Sequence, residues 1–265
     1  MKSILKHCIF IISLLIFFLS SAMITSRLTD AYHKRNLLND IRSEVYGEVK
    51  KLDKDIFRME ETKISLFPNW RHHRQDSFYS LYQKNSDLVG WIGIEDTVID
   101  YPVMQSLSEP DFYLKRDFNK EKSSYGSIYT DAGCHIGLSK NYVLYGHHMK
   151  DGSMFAGLHR YSDIEFMEEH PYIYMYTPEG LLVYEIFTAH ETSDEHILYA
   201  HNWFEEERVM EEYIYETRDV RLMGSVQRED VEVESDDHIL TLSTCVSNPN
   251  NRFIVQGVLL NGSEE

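Results

Sequence analysis

The segment His238-Ile-Leu-Thr-Leu-Ser-Thr-Cys245 alternates apolar and polar side chains and ends in a cysteine. Such alternation over about four to eight residues predicts a half-buried β-strand. After a loop of six residues, Arg252 opens a second apolar run that reaches Leu260. Strands joined by a short loop commonly pair as a hairpin. We therefore expect the Arg252 guanidinium to lie beside the Cys245 thiol at one edge of the sheet.

A second strand end lies upstream, where Asn141-Tyr-Val-Leu-Tyr-Gly-His-His148 closes on a glycine and two histidines. A thiolate is a nucleophile, an imidazole transfers protons near neutral pH, and a guanidinium stabilises an oxyanion. Together, Cys245, one of these histidines and Arg252 predict nucleophilic catalysis. Each residue alone also has an ordinary explanation, as a core cysteine, a loop histidine or a solvated arginine.

Most of the chain beyond residue 76 consists of short runs rich in Val, Ile and Tyr, separated by Gly, Pro, Asn and Asp, which is typical of an all-β domain. Their number suits a closed barrel or a sandwich. An amphipathic helix is predicted at Phe204–Arg218, and a shorter helical stretch at Asp76–Asn85. The predicted strands are Trp91–Ile94, Val98–Val103, Ser127–Thr130, Tyr142–Tyr145, Tyr172–Tyr176, Leu181–Ala189, Ile239–Thr244 and Arg252–Leu260.

The N-terminus holds an uncharged run of 18 residues, Cys8–Thr25, which is long enough to cross a bilayer as one helix. We predict a retained anchor, and the alternative is a signal peptide cleaved near the small residues 20–22. Apolar residues at steps of three and four then predict a stalk or packing helix. The predicted division is a cytoplasmic tip and transmembrane anchor at 1–28, this helix at 29–75 and a catalytic domain at 76–265. The periodic residues are Leu38, Ile41, Val45, Val49, Leu52, Ile56 and Met59.

The overall charge argues against nucleic acid as a partner. The net charge is −17, and the short basic clusters lie near the N-terminus, whereas a polyanion-binding protein has a basic stripe. The three cysteines, Cys8, Cys134 and Cys245, are too few and too scattered to indicate a disulfide framework.

The motif Thr241-Leu-Ser-Thr-Cys245 with Arg252, preceded by Tyr145-Gly-His147, resembles the signature of the sortase family. Further motifs are similar to class B sortases in order and spacing. The resemblance implies a mainly β fold, an eight-stranded sortase-type barrel with N-terminal helices and an extra helix before the cysteine strand. It also implies an outward-facing domain on an N-terminal anchor. The further motifs are Asp87-Leu-Val-Gly-Trp-Ile-Gly-Ile94, Ile99-Asp-Tyr-Pro-Val-Met-Gln105, Tyr125-Gly-Ser-Ile-Tyr-Thr-Asp131 and the run from Tyr145 to Phe155.

The resemblance also implies a role for each matching residue. Cys245 is then the nucleophile, His147 the general acid and base because it follows the glycine directly, and Arg252 the stabiliser of the oxyanion. Ser243 and Leu114 are weaker candidates for lining the substrate groove. Because no acidic residue lies between Cys245 and Arg252, we expect the arginine, and not an aspartate, as the third catalytic member.

The function implied is that of a cysteine transpeptidase with no cofactor. It would cleave a C-terminal sorting signal of the Asn/Ser-Pro-x-Thr-Asn/Gly type after Thr, and pass the resulting thioester to an amine of a peptidoglycan precursor or a pilin. The protein would be a single-pass membrane protein with an extracytoplasmic catalytic domain. One alternative is a thiol peptidase or hydrolase on the same fold, and another is a non-catalytic, membrane-anchored binding module.

Metal sites have weaker support. The doublets His72-His73 and His147-His148 raise the possibility of zinc, but no Cys-x-x-Cys or His-x-x-x-His spacing accompanies them. Calcium binding is an alternative for the acidic run Glu232–Asp237, although a solvated loop explains this run better. We therefore predict no metal.

Overall fold

The computed structural model describes residues 2–47, 78–193, 207–220, 224–246 and 250–260. The predicted periodic residues from Val49 to Met59 and the first three residues of the helix predicted at Phe204–Arg218 lie outside the described residues.

Nine strands are present in the described part of the chain, and all eight predicted strands are among them, with ends shifted by up to four residues. The ninth, β7, has only two residues, which is too short for a pattern to reveal. The strands are β1 (Leu88–Gly93), β2 (Asp100–Gln105), β3 (Ile128–Thr130), β4 (Asn141–Tyr145), β5 (Tyr172–Tyr176), β6 (Leu181–Ser193), β7 (Val226–Gln227), β8 (Ile239–Cys245) and β9 (Asn251–Leu259).

The sheet closes on itself. Its order is β5-β1-β2-β3-β4-β8-β9-β6, and β6 pairs back onto β5, while β7 adds to β6 at the margin. The predicted eight-stranded barrel is therefore confirmed, with closure removing the exposed strand edges. Two of the pairings, β2–β3 and β4–β8, are parallel, and the rest are antiparallel.

Two neighbouring pairings bring the candidate residues together. Strand β4 runs parallel to β8 with Tyr145 opposite Ser243, so the chain leaves both strands at the same end of the barrel. Strand β9 returns antiparallel to β8 with Arg252 directly opposite Cys245. The hairpin predicted from the six-residue loop is therefore confirmed, and side chains at directly opposed positions lie about 5 Å apart at Cβ.

Alternation along β8 decides which side chains face the barrel interior. Leu240 and Leu242 join the main apolar core, together with Phe253 and Val255 of β9. Because successive side chains of a strand point to opposite faces, Cys245 lies on the outer face.

The N-terminal helix runs without interruption from Lys2 to Gly47, so one helix covers the predicted anchor and the start of the predicted packing helix. Its apolar part has a mean hydropathy of 2.3 over 18 residues and none of that window is buried in the protein, which makes it a candidate membrane anchor. Further along, Ile41 and Val45 are buried against the barrel. Lys34 is also buried, 4.4 Å above the Tyr125 ring, and burial lowers its pKa to about 7.

The helix predicted before the cysteine strand is present as Glu207–Arg218. It packs its apolar side, including Met210 and Tyr213, onto the outside of the barrel against Phe187. The remaining described helical segments are residues 78–84, the short helix Ile164–Glu169, and the 3-10 helices Phe112–Lys115 and Phe155–Ser162.

Candidate active site

A groove of about 360 Å³ opens on the outer face of the barrel, at the end where β4 and β8 finish. All five residues predicted from the sequence line it: Cys245, His147, Arg252, Ser243 and Leu114. The volume lies within the range of about 300–1,000 Å³ that is usual for ligand sites.

Cys245 is the last residue of β8 and its side chain is exposed. Cys134, the other cysteine whose side chain the structure describes, is 2% exposed, and burial raises the pKa of its thiol. A thiol must be both accessible and ionisable to react. The structure therefore places Cys245, and not Cys134, where a substrate can reach it.

His147 is held in the groove wall by a backbone contact. Its Nε2 lies 2.7 Å from the carbonyl oxygen of Leu114, to which it donates when protonated. That carbonyl packs over Gly126, where a Cβ would lie 2.4 Å from it. Hydrogen bonding at one ring nitrogen sets the tautomer and the orientation of an imidazole, a task that a carboxylate performs in many hydrolases.

Gly146 allows the chain to turn from β4 into the histidine pair. A Cβ at this position would lie 2.6 Å from Ile128 Cδ1 and 2.6 Å from Phe155 Cδ2, which is closer than real contacts permit. The Gly146 amide donates to the Ser243 carbonyl at 3.1 Å, and the Phe155 amide donates to the His147 carbonyl at 3.0 Å. The close packing of Ile128 and Phe155 leaves no room for a side chain at position 146. This packing therefore fixes the backbone position from which the His147 side chain extends.

Two further histidines contact the backbone of the cysteine. His148 Nδ1 lies 3.3 Å and His159 Nε2 lies 3.2 Å from the Cys245 carbonyl oxygen, with the two rings 4.5 Å apart. His159 stacks on Phe253 at 4.6 Å, and burial lowers its pKa. The sequence does not indicate the contact of His159, because nothing local shows that a residue 86 positions before the cysteine meets its carbonyl.

Two neighbouring tyrosines, with rings tilted by 32° to each other, line the groove between β3 and β8. The rings of Tyr129 and Tyr145 are 5.5 Å apart, and the Tyr129 hydroxyl donates to Asp111 Oδ1 at 2.6 Å. Burial raises the pKa of both phenols well above the ordinary value, and the bond to Asp111 raises that of Tyr129 further. Both tyrosines therefore stay neutral and give the groove an aromatic lining with polar tips.

Ser243 lies beside them, and its buried hydroxyl has no hydrogen-bond partner among the described residues. Because a buried hydroxyl without a partner is costly, the Ser243 hydroxyl keeps an unused hydrogen-bonding capacity within the groove wall.

Arg252 closes the groove on the side of β9. Its Nη1 donates to the carbonyl oxygen of Asn251 at 2.8 Å, and its positive charge opposes the increase in the pKa of Tyr145. Asp111 and Asp131 also line the groove. The site therefore combines one guanidinium, one imidazole and one accessible thiol with two carboxylates.

No group of three or more His, Cys, Asp or Glu side chains in the described ranges is arranged to hold a metal ion.

Comparison with protein families gives one match, a model described as a sortase domain, over residues 92–260. Two sortase B proteins are similar over most of the chain. That of Listeria monocytogenes is 34% identical over 98% of this chain and 98% of its own length. That of Staphylococcus aureus is 32% identical over 76% of this chain and 81% of its own length.

Solved structures agree with the barrel. The sortase B of B. anthracis, in a complex with the compound AAEK1, superposes with a TM-score of 0.68 at 28% identity, covering 88% of this chain and 99% of that one. A S. aureus sortase B–substrate complex gives a TM-score of 0.65 at 32% identity, covering 74% and 89%. The matched sortase domain, the similarity to these proteins over most of their length and the shared barrel show that this chain belongs to the sortase family, as a cysteine transpeptidase of class B.

Proposed function

We propose that this protein cleaves a C-terminal sorting signal after Thr, through a thioester on Cys245, and joins the released end to an amine. The observation that carries the proposal is the convergence of three side chains: an exposed thiol, the arginine directly opposite it across β8 and β9, and a histidine in the same groove. His147 and Arg252 are 105 residues apart in the sequence, so it is the fold that brings the three side chains together.

In the first half of the reaction, the Cys245 thiolate attacks the Thr carbonyl carbon of the bound signal. The carbonyl oxygen becomes an oxyanion, which Arg252 stabilises by charge-assisted hydrogen bonds. The tetrahedral intermediate collapses as the C–N bond breaks, and the protonated His147 gives its proton to the departing amine. The products are a thioester on Cys245, the free C-terminal fragment and a neutral imidazole.

In the second half, an acceptor amine attacks the thioester carbonyl and transfers its extra proton to His147. A second oxyanion forms beside Arg252, and the C–S bond breaks to return the thiolate while a new amide is released. With Nε2 directed at the Leu114 carbonyl, Nδ1 of His147 is the ring nitrogen left for these proton transfers. Water would give the acid in place of the amide.

For the substrate we propose a pentapeptide of the Asn/Ser-Pro-x-Thr-Asn/Gly type. The groove offers neutral phenols at Tyr129 and Tyr145 for packing, and the buried Ser243 hydroxyl as a polar contact. Leu114 contributes its side chain to the groove and its carbonyl to His147. The acceptor would be an amine of a peptidoglycan precursor or of a pilin.

For the location we propose a single-pass protein whose N-terminal helix stays in the membrane and whose barrel lies outside the cytoplasm. The exposed apolar helix supports the proposal of a membrane anchor. Membership of the sortase family, whose enzymes are membrane-associated, supports the proposal that the barrel lies outside the cytoplasm. The division into 1–28, 29–75 and 76–265 remains a prediction.

The acceptor can be tested by product partitioning. The full chain in detergent would be incubated with a library of sorting pentapeptides and rising concentrations of triglycine or hydroxylamine. We expect the ratio of amine-capped product to free acid to rise in proportion to the amine, because both nucleophiles compete for one thioester. Mass spectrometry of the products measures this ratio. A ratio that ignores the added amine would establish the same-fold hydrolase instead.

The oxyanion role of Arg252 predicts a loss in kcat. We expect Arg252→Ala to lower kcat about 10²–10³-fold with little change in KM, because the guanidinium acts on charge that develops during the reaction. Arg252→Lys should recover part of the rate, since an ammonium keeps the charge but not the fork geometry. Steady-state kinetics with a fluorogenic sorting peptide would separate the two constants.

The control is Arg208→Ala, which removes an exposed arginine paired with Glu212 on the outer helix, away from the groove. It should leave both constants within a factor of about two. An Arg252→Ala variant with a normal kcat would exclude the oxyanion role.

A further inference from the structure

A second, basic cleft of about 910 Å³ lies between the N-terminal helix and the barrel. Its charged lining consists of Lys115, Arg116 and Lys122 from the barrel and His33 and Asp30 from the helix. We call these five residues and the space between them the basic cleft. The cleft thus contains three permanently positive side chains and one carboxylate, whereas the chain as a whole has a net charge of −17.

The carboxylate is already engaged by the barrel. The backbone amide of Ser124 donates to Asp30 Oδ2 at 2.9 Å, and the Ser124 hydroxyl donates to the same oxygen. These bonds join the helix to the loop that carries Lys122 and occupy one oxygen of the Asp30 carboxylate. Asp30 therefore joins the two sides of the cleft. The three basic side chains line the space between the N-terminal helix and the barrel.

Arg116 is held in place within this arrangement. Its Nη1 donates to the Lys120 carbonyl oxygen at 2.9 Å, and its guanidinium lies 4.7 Å from the centre of the Phe112 ring. A bridge between Arg116 and Lys122 pairs the two backbone segments that carry the basic side chains. Lys115 and Lys122 themselves are exposed. The cleft thus presents a fixed guanidinium between two lysines that can reach a ligand.

The position of the cleft along the helix matches the surface of a bilayer. The uncharged run Cys8–Thr25 would span about 27 Å at about 1.5 Å per residue, close to the hydrocarbon thickness of about 30 Å. Thr25 and Thr29 line the membrane end of the cleft. Thr29 would then lie about 6 Å beyond the hydrocarbon boundary, within the headgroup layer of about 5–8 Å, so the cleft begins at the depth of the lipid headgroups.

The same cleft adjoins the groove of the enzyme. His147 lines both cavities, so its ring lies in the wall between them. A ligand in the basic cleft would therefore fix the distance between the groove and the membrane.

We propose that the basic cleft binds the phosphate group of an anionic membrane lipid and thereby seats the barrel on the bilayer surface with the His147 wall facing it. Lysine and arginine recognise phosphate by charge and hydrogen bonding, and each basic residue near an anionic surface adds to the attraction. The inference rests on the helix crossing the bilayer and does not depend on the reaction proposed for Cys245.

The test is lipid binding by the full chain in dodecyl maltoside, followed by native mass spectrometry. The probes are dioctanoyl phosphatidylglycerol, dioctanoyl phosphatidylcholine and inorganic phosphate. We expect phosphatidylglycerol to bind most tightly, and the Lys115→Gln/Lys122→Gln variant to bind it about 30-fold more weakly, from about a fivefold loss per lysine. The Lys115→Arg/Lys122→Arg variant, which keeps the charges, should bind as the unchanged protein does.

The matched control is Lys84→Gln/Lys150→Gln, which removes the same number of charges from exposed lysines outside the cleft. It should leave the dissociation constant within about twofold. Equal weakening by both glutamine variants would overturn the proposal, because binding would then follow net charge. Equal affinity for the two lipids, or for free phosphate and phosphatidylglycerol, would overturn the assignment to an anionic membrane lipid.

Discussion

We expect Cys245→Ala to abolish cleavage of sorting peptides, with the rate falling by at least about 10⁴-fold. The proposed reaction passes through a thioester, and no other described cysteine lies in the groove to replace the lost sulfur. Removing the nucleophile of such an enzyme leaves only the weak catalysis provided by binding and by the oxyanion stabiliser. Cleavage would be measured with the full chain and a fluorogenic sorting peptide, and the thioester sought by intact-mass spectrometry.

The matched control is Cys134→Ala. Cys134 is buried in the barrel core, so its loss should lower stability slightly and leave turnover within a few-fold. A thiol reagent should also modify Cys245 far faster than Cys134, since burial holds the Cys134 thiol protonated and out of reach. If Cys245→Ala kept more than about 1% of the turnover, the thioester mechanism would be untenable.

The second large effect is expected at His147. Removing its ring in His147→Ala should lower kcat about 10²–10⁴-fold, because the leaving amine then departs without a proton donor. The structure adds a reason for choosing this histidine: its Nε2 contacts the Leu114 carbonyl at 2.7 Å, which holds the ring in the groove wall. The measurement is kcat for peptide cleavage over a range of pH, with circular dichroism as a check on folding.

His148→Ala is the natural comparison, because it removes the same ring from the neighbouring position. His148 contacts the Cys245 carbonyl oxygen at 3.3 Å and is exposed, so we expect its loss to cost less than about tenfold in kcat. Equal losses in the two variants would mean that the histidines act as a pair. A larger loss at His148 would reverse the assignment of the general acid.

Most strands could be predicted from the sequence, because a strand carries a local alternation of apolar and polar side chains. Alternation marked β8 and β9, and the six-residue loop between them predicted the pairing that places Arg252 opposite Cys245. The helix Glu207–Arg218 was readable from its apolar face. Strand ends were less well defined, because turns and bulges at the barrel margin are decided by neighbouring strands.

Several residues around the site could not be identified from the sequence, for a different reason. His159 carries no motif, and it reaches the Cys245 carbonyl only because the 3-10 helix Phe155–Ser162 packs beneath the ends of β8 and β9. The acceptor for His147 is a backbone carbonyl, that of Leu114, and every residue type has one. Gly126 is needed to let that carbonyl approach, which only a three-dimensional contact reveals.

The mainly β character, the apolar N-terminal helix and the three side chains proposed for catalysis could be predicted from the residues alone, because each has a local pattern or a motif. The parallel pairing of β4 with β8, which brings His147 to the end of the barrel where Cys245 emerges, is visible only in the folded protein. The folded protein also shows that the N-terminal helix docks beside a basic loop to form the basic cleft. Such juxtapositions depend on long-range packing between segments far apart in the chain, and no local run of residues records which distant surface it will meet.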